Sequence, residues 1–185
     1  MKYVIEHLEK ELTEWSMIEY HRISELVGKE NLMIFNLKEE EINKLKDMAE
    51  CFQESVNSTQ VIDTNKACVL DPQATNELSS DESFPFLVFG GILGDDPPTG
   101  KTSDIFLDEA ERRNIGEKQM PTDNAVLCSK MIMEGKALGD IEFIDDLEIP
   151  LDEGESIILP FRYVIKDGKP FISDDILYIL KRDGF

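Results

Sequence analysis

Short apolar runs, rich in branched and aromatic side chains, punctuate this chain, and each is followed by a polar turn or an amphipathic segment. Lys2–Leu8 (KYVIEHL), Asn31–Phe35 (NLMIF), Ala67–Leu70 (ACVL) and Phe84–Phe89 (FPFLVF) read as strands, and the last suits a strand buried on both faces, as in a parallel sheet. After the first run, Thr13 is placed to cap a helix whose positions Trp15, Ile18, Ile23 and Leu26 make a core-facing stripe, ended by Gly28. A second amphipathic helix over Lys38–Phe52 turns Ile42, Leu45, Met48 and Ala49 inward, and the polar stretch Ser55–Asn65 is irregular. Pro72 stops the ACVL strand. From Phe84 the pattern is strand, Gly90-Gly91 turn, acidic loop, short helix, strand, turn at Asn114-Ile115-Gly116, then a helix opened by Thr122 and Asp123. Beyond Gly135 come extended segments at Ile141–Ile144, Ile157–Leu159 and Phe161–Ile165, with a turn of paired acids after Ile144 and a turn at Asp167–Pro170. Ser173 is placed to cap a last helix running through Leu180. Alternation of strands and helices predicts an α/β fold: a mostly parallel sheet flanked by helices.

A length of 185 residues and an apolar fraction of 41% suit one globular domain with a real core. No apolar run approaches the ~20 residues of a membrane helix, and MKYVIEHLEKEL carries charges where a signal peptide needs its apolar centre. A cytoplasmic protein with no membrane partner is expected. Cys51, Cys68 and Cys128 are odd in number, widely spaced and set in apolar context, which fits free thiols; with only His7 and His21 beside them, no metal site is expected. The net charge of −20 sharpens this picture most. Such a surface repels a phosphate backbone and favours a basic partner, although solubility alone would also explain it.

Gly94–Thr102 (GDDPPTGKT) imitates a phosphate-binding loop, but five residues separate its glycines where that motif has four. Pro97 and Pro98 lack the N–H groups a phosphate cradle requires, and Asp95 and Asp96 repel phosphate. The Gly90-Gly91 and Gly116 turns are more informative. Two strand-to-loop junctions at one sheet edge are where open α/β folds hold ligands.

At these same residues the chain resembles a known family. DPQA (Asp71–Ala74), LVFGGILGDDPP (Leu87–Pro98), IGEKQMPTDNA (Ile115–Ala125) and LPFRYV (Leu159–Val164) resemble the SPOUT-class methyltransferases, and within them the branch of protein arginine methyltransferases that modifies a small-subunit ribosomal protein. Pro121 departs from the threonine usual in that branch. The resemblance implies a single domain, with an N-terminal β-α part over 1–66 and a trefoil-knotted, cofactor-binding part over 67–185. It also implies S-adenosylmethionine as cofactor and S-adenosylhomocysteine as product. The cofactor pocket would be built by three loops: Leu70, Asp71 and Pro72; Phe89, Gly90, Gly91, Ile92 and Gly94; and Ile115, Gly116, Lys118, Gln119, Met120 and Thr122. Whether the protein is a monomer or a homodimer stays open.

If the acceptor is arginine, a guanidinium of pKa above ~12 must shed a proton, and carboxylates are suited to hold it bidentately and accept that proton. Asp95 and Asp96 are the first candidates, Glu6 and Glu19 the second; local capping of the proline turn is the competing reading of the aspartates. Trp15 is a candidate for stacking on a substrate arginine or for the core. Arg162 is a candidate anchor for substrate, for one of these acids or for the cofactor carboxylate. A basic protein substrate, a small-subunit ribosomal protein by the resemblance, fits the charge better than a nucleic acid. Two rivals are an RNA methyltransferase, for which Lys101, Arg112, Arg113 and Lys118 would form the basic track, and a non-enzymatic acidic adaptor.

Overall fold

The computed structural model describes residues 1–93, 105, 107, 109–151 and 154–183. Its centre is a six-stranded sheet built from β1 (Lys2–His7), β2 (Leu32–Phe35), β3 (Glu50–Cys51), β4 (Ala67–Leu70), β5 (Phe86–Gly91) and β6 (Glu111–Arg113), in the order β3-β2-β1-β5-β4-β6. Every neighbouring pair is parallel. β2 and β4 are buried at every position, as their unbroken apolar sequences require. The first three strands in sequence form one half and the last three the other, joined along β1 and β5 with Ile5 opposite Phe89 and His7 opposite Gly91.

Helices α1 (Glu14–Val27), α2 (Glu39–Leu45) and α3 (Thr122–Met133) pack on one sheet face, where Tyr20, Ile23, Leu45, Val126 and Leu127 meet Tyr3, Ile5, Leu70 and Phe89. Burying Ile23 alone stabilises by about 1.5–3 kcal/mol. The opposite face is closed by Val56 and Ile62 of the irregular segment and by Ile105 and Leu107. Thr13 caps α1 as expected, its hydroxyl accepting the Ser16 N–H at 3.1 Å, and Gly28 ends it at φ 83°.

Several elements differ from expectation. The second helix stops at Leu45 instead of Phe52: the chain then turns so that Glu50–Cys51 pairs beside β2 and Phe52 stacks on Phe35 with ring centroids 4.4 Å apart. Its inward stripe is nevertheless the expected one. Thr122 is the first residue of α3 and not its cap; Pro121 holds that place, with no side-chain hydrogen bond. Alternation of strand and helix also breaks down near the C-terminus. β7 (Phe143–Pro150) and β8 (Ser156–Lys166) pair antiparallel, β9 (Lys169–Pro170) adds to the end of β8, and α4 (Asp174–Asp183) follows, opened by Ser173, whose hydroxyl accepts the Asp175 N–H. The paired acids after Ile144 are not a turn but a bulge within β7, where the register shifts between Asp145 and Leu147 and Asp146 adopts φ 53°. The short helix expected after the acidic loop falls largely outside the described residues.

Candidate functional site

Parallel strands end on a common edge, and here that edge carries the predicted loops. Asp71 N–H donates to the Arg113 carbonyl, so the segment after β4 continues along β6. Asn114 then fastens the first loop to the third. Its backbone N–H donates to the Asn76 carbonyl and its carbonyl accepts from Leu78; its side chain donates to the Ala74 carbonyl at 2.9 Å and accepts the Gly116 N–H at 3.0 Å. Gly116, at φ 102°, sits in a conformation that excludes other residues without strain. On the neighbouring strand, a side chain at Gly91 would collide with the Tyr20 hydroxyl and the Ile5 side chain and lie 3.2 Å from the Glu6 carbonyl. The structure therefore gathers Leu70, Asp71, Phe89, Gly91, Ile115 and Gly116 on adjacent strand ends, with Leu70, Phe89, Ile115 and Met120 in one apolar cluster. Pro72 is exposed, Ile92 half-buried against Gly90, and Thr122 buried at the head of α3. Gly94, Asp95 and Asp96 lie outside the described residues, as does Lys101.

Sequence spacing did not reveal the main role of α1. Its buried line is Ser16, Glu19, Tyr20, Ile23 and Val27, which puts two polar side chains under the loops. The Tyr20 hydroxyl is 2.8 Å from His7 Nδ1 and lies against Gly91. Glu19, 3% exposed, accepts the Trp15 indole N–H at 2.8 Å and is hydrogen-bonded by Thr122 of the third loop. Burial, and then the charge of Asp123, push the Glu19 carboxyl up to about 8, against the pull of the Trp15 and Thr122 hydrogen bonds. Burial raises Asp123 as well, but the Arg22 guanidinium at 2.5 Å pulls it back. Glu19 itself has no cationic partner among the described residues. Arg22 in turn lies 3.8 Å over the Phe171 ring, and the buried Tyr163 sits in the field of both acids. These partners come from opposite ends of the sequence, so no local pattern signals the cluster.

Glu6 has different surroundings. It is 1% exposed and shares with Val4 the face away from the helices; Oε1 accepts the Ser55 hydroxyl at 2.5 Å and Oε2 the Val56 N–H at 2.9 Å. Burial raises its carboxyl, and these two donors pull it back. Trp15 is half-buried and packs with Ile18 against the cluster of Leu159, Phe161 and Tyr163 beneath β7 and β8. Arg162 holds Asp145 bidentately at 2.7 and 3.1 Å, and Lys118 reaches the same carboxylate at 3.0 Å. Arg112 is committed to Asp71 and the Ile105 carbonyl, and Arg113 to Glu82 and Glu111. The described members of the proposed basic track are thus each ion-paired within the chain. Cys68 and Cys128 are buried free thiols, Cys51 a half-buried one, and no group of metal-ligating side chains occurs among the described residues.

This edge suits a nucleoside carrying a polar tail. Glycine turns permit close approach, apolar walls flank them, and the buried Gln119 amide oxygen of the third loop has no hydrogen-bond partner among the described residues. The architecture is that of the SPOUT-type methyltransferases. A dual-specific Trm10 from Thermococcus kodakaraensis shares the fold, with a TM-score of 0.58 and 21% identity over 76% of this chain and 96% of that one. The yeast arginine methyltransferase SFM1 complexed with SAH superposes with a TM-score of 0.88 at 33% identity, covering 97% of this chain and 94% of that one. Its complex with SAM gives 0.90 at 33% identity, covering 99% and 91%. In sequence, protein arginine N-methyltransferase SFM1 of Saccharomyces cerevisiae is 35% identical over 205 residues, spanning 100% of this chain and 96% of the relative. Residues 2–184 match the model described as protein arginine N-methyltransferase SFM1-like. The chain belongs to the SFM1-like family.

Proposed function

We propose that this protein is a cytoplasmic S-adenosylmethionine-dependent methyltransferase that modifies an arginine of a basic protein, a small-subunit ribosomal protein by the family resemblance. The observation that carries the reading is Glu19: a buried carboxyl beside a second acid, under the third loop, with an indole on one oxygen and no cation opposite it among the described residues. A guanidinium is the partner such a group lacks. When bound, the cofactor supplies a methyl group already activated on sulfur. The three loops Leu70–Pro72, Phe89–Gly94 and Ile115–Thr122 hold it, and Gly90, Gly91 and Gly116 admit its close approach. Displacing the Trp15 indole opens Glu19 Oε1 to the acceptor, while Trp15 stays positioned to stack on it. A cation arriving there favours the ionised carboxylate, which orients the guanidinium and takes the proton it must shed. Asp95 and Asp96 remain proposed partners in that proton transfer. On the same family ground we infer the knotted topology of 67–185.

An RNA acceptor is the second reading, and the intramolecular pairing of Arg112, Arg113 and Lys118 weighs against it. Incubation of the purified chain with labelled cofactor, and separately with basic ribosomal proteins and with RNA, tests both. Label on arginine in protein is the expected result; label in RNA alone overturns it. Absence of any S-adenosylmethionine binding by calorimetry would favour an acidic adaptor instead.

A further inference from the structure

We propose that Arg162 is the arm that binds the α-carboxylate at the amino-acid end of the cofactor, and that Asp145 is the positioning residue that sets this arm. The proposal rests on the three-loop site described above. The Arg162 backbone N–H donates to the Gln119 carbonyl at 2.9 Å, which ties β8 to the third loop. Its guanidinium lies 4.9 Å over the Phe143 ring, and Asp145 occupies Nε and Nη2. Nη1 is left without a hydrogen-bond partner among the described residues, and a Cβ built on Gly116 would stand 3.5 Å from it. The open pair of N–H groups therefore faces the glycine turn of the third loop. In the same loop, the Gln119 amide oxygen is buried and has no hydrogen-bond partner among the described residues.

Asp145 stands directly opposite Arg162 in the β7–β8 register, so the two side chains share a face, and the bulge at Asp146, φ 53°, follows it. With Lys118 also on Asp145, two cations oppose one anion, so the group keeps a net positive charge. A planar guanidinium held on one edge by a carboxylate presents its remaining donors in a fixed direction, which suits a second carboxylate. The cofactor and S-adenosylhomocysteine each carry one such anionic group, the α-carboxylate; 5′-methylthioadenosine lacks it and keeps the nucleoside.

Isothermal titration of S-adenosylhomocysteine and of 5′-methylthioadenosine separates the two ends of the ligand. Arg162→Gln is expected to weaken S-adenosylhomocysteine binding about 10- to 100-fold, the loss typical of a charged hydrogen bond, and to leave 5′-methylthioadenosine affinity unchanged. Arg162→Lys, which keeps charge but not the fork, falls between, and serves if the glutamine variant does not fold. Asp145→Asn is expected to weaken S-adenosylhomocysteine alone, by about 3- to 10-fold. Equal losses for both ligands, or none, in the Arg162 variants overturn the arm; unchanged or tighter S-adenosylhomocysteine binding in Asp145→Asn overturns the positioning role. Failure of the three-loop site itself reads differently: Gly116→Ala would then bind 5′-methylthioadenosine as the parent chain does.

Discussion

Glu6 and Glu19 are equally withdrawn from solvent, at 1% and 3% exposure, yet they belong to opposite kinds of surroundings. On the face away from the helices, Glu6 has both oxygens filled by Ser55 and Val56 and fastens the irregular segment to the end of β1. In the seam between α1 and α3, Glu19 faces Asp123 and lacks a counter-charge among the described residues. Burial of a carboxyl therefore does not mark function by itself. What distinguishes the two is the neighbouring charge. Both carboxyls accept hydrogen bonds and neither has a cation among the described residues, but Glu19 alone faces a second buried acid, Asp123, a pairing that a cationic ligand would relieve.

The sharpest way to break this contrast is Glu19→Gln, expected to lower kcat by about 100-fold or more while S-adenosylhomocysteine affinity is kept, measured by label transfer and calorimetry. Retained turnover would reduce Glu19 to a structural residue. Gly91→Ala, at the point where the two regions meet, is expected to cost up to about 3 kcal/mol in denaturant unfolding, because the Tyr20 hydroxyl, Ile5 and the Glu6 carbonyl leave no room for a methyl. Glu6→Gln turns an amide donor toward the Ser55 hydroxyl or the Val56 N–H; a loss of about 1–3 kcal/mol is expected, with turnover of the folded fraction preserved. A pH series sharpens the comparison further. Folded Glu19 keeps its proton up to about 8, whereas the unfolded carboxyl releases it near 4.5, so between these values the folded chain binds more protons and stability falls as pH rises. Glu19→Gln should flatten that slope. The smallest effect is expected from Thr13→Ala, about 1 kcal/mol from the lost cap of the helix that carries Glu19.

The parallel sheet was legible because β1, β2, β4 and β5 are apolar runs whose pattern survives without context, and the glycine turns at 90–91 and 116 announced where the backbone must bend. The antiparallel β7–β8 pair was not legible as such. Its acids at Asp145 and Asp146 resemble a turn until one sees Arg162 and Lys118 on the far side. Likewise, of the apolar stripe Trp15, Ile18, Ile23 and Leu26 on α1, Ile23 is fully buried, yet Glu19 and Tyr20 lie deeper than the other three, since His7, Thr122 and Asp123 provide polar company that sequence separation conceals. Residue type alone does not separate Glu19 from the other acids of the chain; its burial and its contacts with Trp15 and Thr122 are visible only in the folded molecule.

Asn114 has a consequence for the cost of binding. Because this one side chain and its backbone bridge Ala74, Asn76, Leu78 and Gly116, the first and third loops are already held in mutual register. A ligand entering between them need not order two independent segments, and more of its contact energy remains as affinity. Cutting that latch with Asn114→Ala should appear as faster amide exchange in both loops at once, together with a weaker and more entropically opposed association.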